Sequence, residues 1–409
     1  MNDHKETVFF VNPSWENHSL LSFMGNAGFN IIGFGESLDP KNAALPFYRH
    51  IKGRITDYAS MYDICRLYNV TSVASDNCDY SLLVSERLSC LLDLPTLGVA
   101  SAEISNNKLA QRNLANKSRI NQPKYSSCTT VLDVLTFVSE HQCDFLLKPL
   151  DSRGSMGISC LTKTSSACDI AKAISVCLSA SPSGKFLAEE FISGELYTID
   201  GYIADDKLFL VGVASRKRSG LGNTVTRQIL YDSSIDSSFL KKSFDFLTGV
   251  KNAFNYSNGH IHCEALLNSS GDFYLVECTN RGGGVFTSSV INPYVCGVDL
   301  NHEYMASKFK PGIISKLDSS SRIIANLNDA SLLFPSLGEE GQILQAFDAE
   351  AISTVESVLE VQLFAKIGRP LVASFDGPSR HYAVALKTSD TNQINSIVDH
   401  IHSNFISLS

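Results

Sequence analysis

Gly259-His-Ile-His-Cys-Glu264-Ala-Leu-Leu-Asn268, then Ser269-Ser270-Gly271-Asp272, then Phe273-Tyr-Leu-Val-Glu277-Cys278 reads as two strands joined by a turn. Partners across an antiparallel turn have a constant index sum. A tight Ser270-Gly271 loop therefore puts Ser269 opposite Asp272 and Glu264 opposite Glu277. Directly opposed partners have Cβ atoms about 5 Å apart, where two carboxylates repel. The flanking residues are apolar enough to imply partial burial, so a positive group is expected between the pair. Magnesium held by one or two carboxylates and completed by nucleotide phosphates meets that need. A shifted register or a solvated pair is the alternative reading. His260 and His262 share the alternation with Glu264 and read as packing or substrate-orienting groups.

Upstream, Leu147-Lys148-Pro149-Leu150-Asp151-Ser152-Arg153-Gly154-Ser155-Met156-Gly157-Ile158 joins a strand to a Gly/Ser-rich loop. Glycines in such a loop accept the φ angles that turn backbone N–H groups towards phosphate oxygens, and Lys148 adds a point charge. It is neither a Walker loop nor a dinucleotide fingerprint. A hairpin loop with no ligand is the competing reading. Arg216-Lys217-Arg218-Ser219-Gly220-Leu221-Gly222-Asn223, with Arg227, reads either as a loop closing over anionic groups or as a solvated charged loop.

The rest of the chain sets the frame. Its 409 residues imply several domains, and 44% hydrophobic with 19% charged residues is an ordinary globular composition. A net charge of -8 argues against general affinity for nucleic acid. The 11 cysteines run from Cys65 to Cys296 without a CxxC pair, which suggests free thiols rather than disulfides or zinc. No signal peptide or membrane-spanning apolar run is legible, so a cytoplasmic location without membrane or nucleic-acid partners is expected. Strand and helix patterns alternate from Thr7 to about residue 100, implying a parallel sheet. Strand-rich sequence after residue 184 implies an antiparallel one. The stretch from about 313 to 409 reads as a small α+β cap ending in a helix near Gln393 to Phe405.

Taken in order, these segments resemble the ATP-grasp superfamily, especially its carboxylate-amine ligases of the L-amino acid ligase kind, over roughly residues 100 to 300. The resemblance implies an α/β and α+β multidomain chain. A Rossmann-like domain would span 1–100, the ATP-grasp region 101–312 with its lid at about 124–190, and the α+β domain 313–409. It makes Lys108, in Asn107-Lys108, and Lys148 phosphate contacts, with Arg153, Gly154, Ser155 and Gly157 as the lid. Ala188-Glu189-Glu190-Phe191-Ile192-Ser193-Gly194-Glu195 is similar to the hinge that reads adenine, so Glu189, Glu190, Phe191 and Ile192 become adenine contacts. Glu264 and Glu277 look like the metal carboxylates, and Arg281, before Gly282-Gly283-Gly284, like the substrate arginine. Two positions depart from the pattern. Thr279 stands where many members have a metal-binding Asn and could supply a hydroxyl instead. Leu196 stands where a ribose-binding Glu often follows the hinge glycine, a role Glu195 could take.

The expected activity follows from that resemblance. ATP and Mg²⁺, with Mn²⁺ as a substitute, would convert a small-molecule carboxylate to an acyl phosphate that an amine attacks, releasing ADP and phosphate. Positioning and charge neutralisation by Lys148, Glu264, Glu277 and Arg281 would do the catalytic work, without a protein nucleophile. A homodimer is the expected assembly. The competing functions are a carboxylase working through carboxyphosphate and a regulatory nucleotide-binding protein that has lost turnover.

Overall fold

The computed structural model describes residues 6–152, 154–219, 225–309, 314–318, 320–374 and 377–409. Arg153, the Gly220–Asn223 part of the basic segment, and the expected boundary at 312/313 lie outside these residues. Near the N-terminus, β1 (Thr7–Val11), β2 (Asn30–Gly35), β3 (Tyr48–Lys52) and β4 (Ser72–Ala74) form a sheet of order β3-β2-β1-β4. Every pairing in it is parallel, as the alternating pattern predicts. Val8, Phe9, Phe10 and Val11 are all fully buried because helices cover both faces.

A smaller antiparallel sheet follows, ordered β5-β8-β6-β7, from β5 (Tyr125–Cys128), β6 (Phe145–Pro149), β7 (Ser159–Leu161) and β8 (Phe186–Glu190). Helices Val131–His141 and Ala167–Ser179 pack on one face of it through Phe137, Ile170 and Cys177. A reciprocal capping box of Thr130 and Asp133 starts the first of these helices. Phe145, Leu147, Phe186 and Ala188 point into that core, so the two-residue period sends Lys148 and Glu189 out of the opposite face.

The central sheet has eight strands. It takes β9 (Glu195–Ala204), β10 (Lys207–Ser219), β11 (Val225–Tyr231), β12 (Gly259–Leu267), β13 (Phe273–Thr279) and β14 (Ala330–Leu333). Beyond β15 (Leu344–Phe347), it also takes β16 (Val358–Leu363) and β17 (Tyr382–Leu386). Strand order is β13-β12-β9-β10-β11-β14-β17-β16, so the C-terminal segment extends the same sheet through the β11/β14 pairing. Its last strand, β18 (Ile406–Leu408), pairs, among the described residues, only with β15. Asp205 and Asp206 turn β9 into β10 with φ of 47° and 65°, the left-handed pair a type I′ turn needs. Helix Ser237–Phe254 covers one sheet face, packing Leu247, Val250 and Phe254 against Ile199, Ile261 and Leu275. The other face of β9 and β12 carries Thr198, Asp200, His262 and Glu264. One face is thus the core and the other the floor of a cleft.

The β12–β13 hairpin corrects one expectation and keeps its consequence. The turn is a three-residue loop, Ser269 to Gly271, closed by Asn268 N on Asp272 O at 3.0 Å, with Gly271 at φ +82°. Asn268 Oδ1 accepts from Asp272 N at 2.8 Å, which favours this longer loop over a tight Ser270-Gly271 turn. Leu267 therefore faces Phe273 and Ala265 faces Leu275, a register that would put Val276 opposite Glu264. A β-bulge at that point inserts one residue and brings Glu264 opposite Glu277. It also changes which face the next residues use. Phe273 and Leu275 lie in the core, and so does Cys278, leaving Glu277 on the cleft side.

Candidate functional site

The three sheets surround a cleft of about 570 Å³ that collects side chains from all of them. Lys108, Lys148, Arg216, His262, Glu264, Glu277 and Arg281 line it, together with Gly154, Ser155 and Met156 of the glycine-rich loop. Gly154 and Gly157 have φ of +63° and +75°, and Ser155 shares the left-handed region at +63°. Gly157 packs beneath this loop, where a Cβ would lie 2.8 Å from Pro149 Cγ. The loop leans on the C-terminal segment, with Gly377 N donating to Gly154 O at 3.1 Å.

Lys108 opens helix Lys108–Lys117, behind the N-cap Asn107 whose Oδ1 accepts from Ala110 N. A cation in the first turn opposes the helix dipole, so a local partner is required. The partners are Glu277 Oε2 at 3.2 Å and the Ser152 carbonyl at 2.7 Å. Burial opposes the ammonium charge, but Glu277 and Asp79 outweigh it and raise the Lys108 pKa.

Glu264 has a cation of its own, Arg216, whose Nη1 donates to Glu264 Oε1 while its Nε donates to Thr226 Oγ1 at 3.1 Å. Arg216 thus pairs with one of the two glutamates and Lys108 with the other. Arg216 was read as part of a loop, but Arg216 to Ser219 continue β10, which forms a hairpin arm with β11. Burial works against the Glu264 charge, yet Arg216 and His262 prevail and hold its carboxyl at about 2.

Lys148 and Glu189 form a second cluster. Lys148 Nζ lies 2.7 Å from Glu189 Oε2, and Arg112 Nε lies 2.8 Å from Glu189 Oε1. Arg112 also donates to the carbonyl of Val276, the bulge residue, at 2.8 Å. Burial opposes the Glu189 charge, but Arg112 and Lys148 hold its carboxyl at about 2. Burial pulls the Lys148 ammonium down to about 8 against the resistance of Glu189.

Several expected site residues sit elsewhere. Glu189 is 2% exposed and its carboxylate is consumed by Arg112 and Lys148, so as a side chain it is an internal fastener. Alternation turns Glu190 to the other face, where it accepts from Lys124 N. Among the described residues that line the cleft, Glu189, Glu190, Phe191, Ile192 and Glu195 do not occur, whereas Leu196 does. Thr279 shares the face of Glu277 but is 1% exposed, does not line the cleft, and its Oγ1 has no hydrogen-bond partner among the described residues. Asn280, on the opposite face, holds the carbonyls of Asn258 and His260.

Arg281 also differs from expectation. Its fork is taken by Asp79, with Nε to Oδ1 and Nη2 to Oδ2 both at 2.9 Å, which ties the glycine triplet to the first sheet's helix. Just beyond, Val285 and Phe286 adopt φ of 47° and 62°, strained for a β-branched and an aromatic residue. They are clamped by Glu16, which accepts from Val285 N at 3.1 Å, and by Trp15, edge-on to Phe286 at 5.2 Å. Arg112, Asp79, Asp200 and Arg216 were not legible as site residues. Each works through a partner distant in sequence, and only the repeated basic residues near Arg216 carried a signal.

A parallel sheet, a small antiparallel lid and a large antiparallel sheet enclosing a lysine- and glutamate-lined cleft make up the ATP-grasp fold. Residues 141–289 match the family model of the ATP-grasp domain. The L-amino acid ligase of Bacillus licheniformis has the same fold, with a TM-score of 0.79 at 14% identity over 99% of this chain and 98% of that one. The biotin carboxylase domain of Hydrogenobacter thermophilus 2-oxoglutarate carboxylase, solved with MgADP and bicarbonate, gives 0.75 at 10% identity over 98% and 91%. In sequence, the chain is 26% identical over 212 residues to the alanine–anticapsin ligase of Bacillus subtilis (strain 168), covering 47% of this chain and 44% of the ligase. The match spans less than half the length of that curated relative. Among the described residues no helix is long and apolar enough to cross a membrane.

Proposed function

We propose that the protein is an ATP- and Mg²⁺-dependent carboxylate–amine ligase that forms an amide through an acyl phosphate and releases ADP and phosphate. The observation that carries this reading is the opposed Glu264/Glu277 pair in one cleft with Lys108, Lys148 and the glycine-rich loop. The pair fits Mg²⁺, and Mn²⁺ in its place, by donor chemistry. Both groups are hard oxygen ligands, and the described residues contain no cluster of three or more His, Cys, Asp or Glu that would close a cage without phosphates. Mg²⁺ held there would neutralise phosphate charge.

The chain's own groups do the remaining work. Lys148 and Lys108 bind the phosphates, and Gly154 to Gly157 cover them. Lys108, paired with Glu277 at 3.2 Å, can turn to phosphate, and Glu264 and Glu277 are the residues that would hold the metal. The substrate carboxylate attacks the γ-phosphorus and ADP leaves; the amine then attacks the acyl carbon and phosphate leaves. The sequence relationship to an amino-acid ligase favours amino acids as substrates, whereas the likeness to a carboxylase is one of fold. Such an enzyme would work in the cytosol, where ATP and free thiols coexist. The test is incubation with ATP, Mg²⁺ and pooled amino acids, measuring ADP, AMP and new products by mass. ADP with a dipeptide is expected; AMP, or ADP formation driven by bicarbonate alone, refutes the proposal.

A further inference from the structure

Among the described residues, four carboxylates line the cleft: Glu16, Asp76, Glu264 and Glu277. Glu264 and Glu277 pair with Arg216 and Lys108 and would hold the metal. Asp76 is 8% exposed, and its Oδ1 accepts from Gly282 N at 2.7 Å. Glu16 takes part in neither pair, and it stands where the fold itself favours a ligand. In the first sheet, of order β3-β2-β1-β4, the chain runs from β1 out to β2 and β3, then returns on the other side of β1 with β4. Open parallel sheets bind ligands beyond the carboxyl ends of their strands, in the crevice where the connections diverge in this way. Residues of the loops after both strands, Ser14 to Asn17 and Asp76 to Cys78, line the cleft.

The Glu16 carboxylate is held in place. Ser14 and Asn17 form a reciprocal capping box around the turn Trp15–Asn17, with Ser14 Oγ accepting from Glu16 N at 3.3 Å. Asn17 Nδ2 donates to the Asp76 carbonyl at 3.2 Å and so joins the two loops. Glu16 Oε1 accepts from Val285 N at 3.1 Å, and one such N–H does not exhaust the roughly four lone-pair sites of a carboxylate. Trp15 beside it lines the same cleft and lies edge-on to Phe286. A fixed anion next to an aromatic wall suits an ammonium group that carries an apolar substituent.

The two substrates of a ligase differ in what they can offer such a site. The attacking amine needs its lone pair, whereas an amino acid that serves as acyl donor keeps its ammonium through both steps. An ammonium has three donors and no lone pair, so a carboxylate holder fits the donor rather than the nucleophile.

We propose that Glu16 binds the ammonium of the amino acid whose carboxylate is phosphorylated, and thereby selects α-amino acids over simple carboxylic acids as acyl donors. The assignment rests on the ligase reading above and narrows its carboxylate substrate.

The test uses the full chain with MgATP and hydroxylamine, which attacks the acyl carbon in place of the second substrate and yields a hydroxamate. Two donor pools are compared, L-amino acids and the same acids without the amino group, and kcat/KM for hydroxamate formation is measured with each. Their ratio is insensitive to the fraction of folded enzyme. Wild type favours the amino acids. Glu16→Gln keeps an oxygen for Val285 N but removes the charge. It lowers the ratio by roughly tenfold to a hundredfold, the loss of a hydrogen bond to a charged group, and leaves the amino-free acids within about threefold of wild type. A glutamate that only clamped the Val285 turn would change both pools alike. An unchanged ratio in Glu16→Gln, or a wild type that uses both pools equally well, overturns the ammonium assignment while leaving the ligase reading intact. A wild type that yields neither ADP nor hydroxamate from either pool overturns the ligase reading and the ammonium assignment with it.

Discussion

Glu264 and Glu189 are both carboxylates held at about 2 by basic neighbours, yet they serve opposite ends. Glu189 is enclosed, its side chain 3% exposed, between Arg112 and Lys148, which use both of its oxygens. Glu264 is partly open, its side chain 27% exposed, with Arg216 donating to Oε1. A closed ion cluster with filled oxygens fastens elements together; an open pair with spare oxygens can exchange a cation for a ligand. Electrostatics alone does not separate them, and access does.

The largest expected effect follows from the open pair. Replacing Glu264 and Glu277 together with alanine should lower ADP formation by roughly 10³-fold or more, as expected for loss of transition-state charge stabilisation. Undiminished ADP formation would remove the metal assignment. The closed cluster should respond in the opposite way. Glu189→Ala strands two buried cations and should cost about 3–5 kcal/mol of stability by urea unfolding, because breaking a buried pair leaves charge uncompensated.

Arg281 lies between these extremes, since its partner Asp79 fills its fork while Arg281 itself lines the cleft. Arg281→Lys loses the bidentate contact and should cost about 1.5–3 kcal/mol, visible as faster amide exchange around residues 76–82 and 280–286. Unaltered exchange would show that the contact does not hold the two segments together.

The smallest effect is a pH dependence. With Lys148 near 8, its ammonium is lost as pH rises, so MgATP affinity should weaken roughly fourfold between pH 7 and 8.5. The effect on stability has the other sign. A lysine whose folded value lies below its usual 10.5 penalises folding while charged, and that penalty fades as pH climbs from about 8 to 10.5. Affinity loss without a matching loss of melting temperature is the expected pattern in titration calorimetry and thermal scans. Parallel losses would point to unfolding instead.

Much of the fold was legible because local periodicity and long-range pairing agree. Helix Val131–His141 and strand Thr7–Val11 fall where their patterns predict, and the two faces of β12 follow directly from alternation. The site was legible where chemistry is local, as in Lys148-Pro149 before the glycines. It was not legible where a group's role depends on what it meets. Nothing in Arg112 signals Glu189, 77 positions away, and nothing in Arg281 signals Asp79, 202 positions away. The hinge glutamates looked alike in sequence, but one enters a buried triad and the other leaves by the opposite face.

From its residues alone, the chain declared an alternating parallel start, a glycine-rich loop after Lys148 and two glutamates destined to oppose one another. Tertiary structure decided how that opposition is achieved, through a longer turn and a bulge at Val276 that turns Glu277 away from the core. It also decided which charges are open and which are spent. Spacing along a strand sets the face a side chain uses, but only the assembled neighbours determine whether its oxygens are already filled.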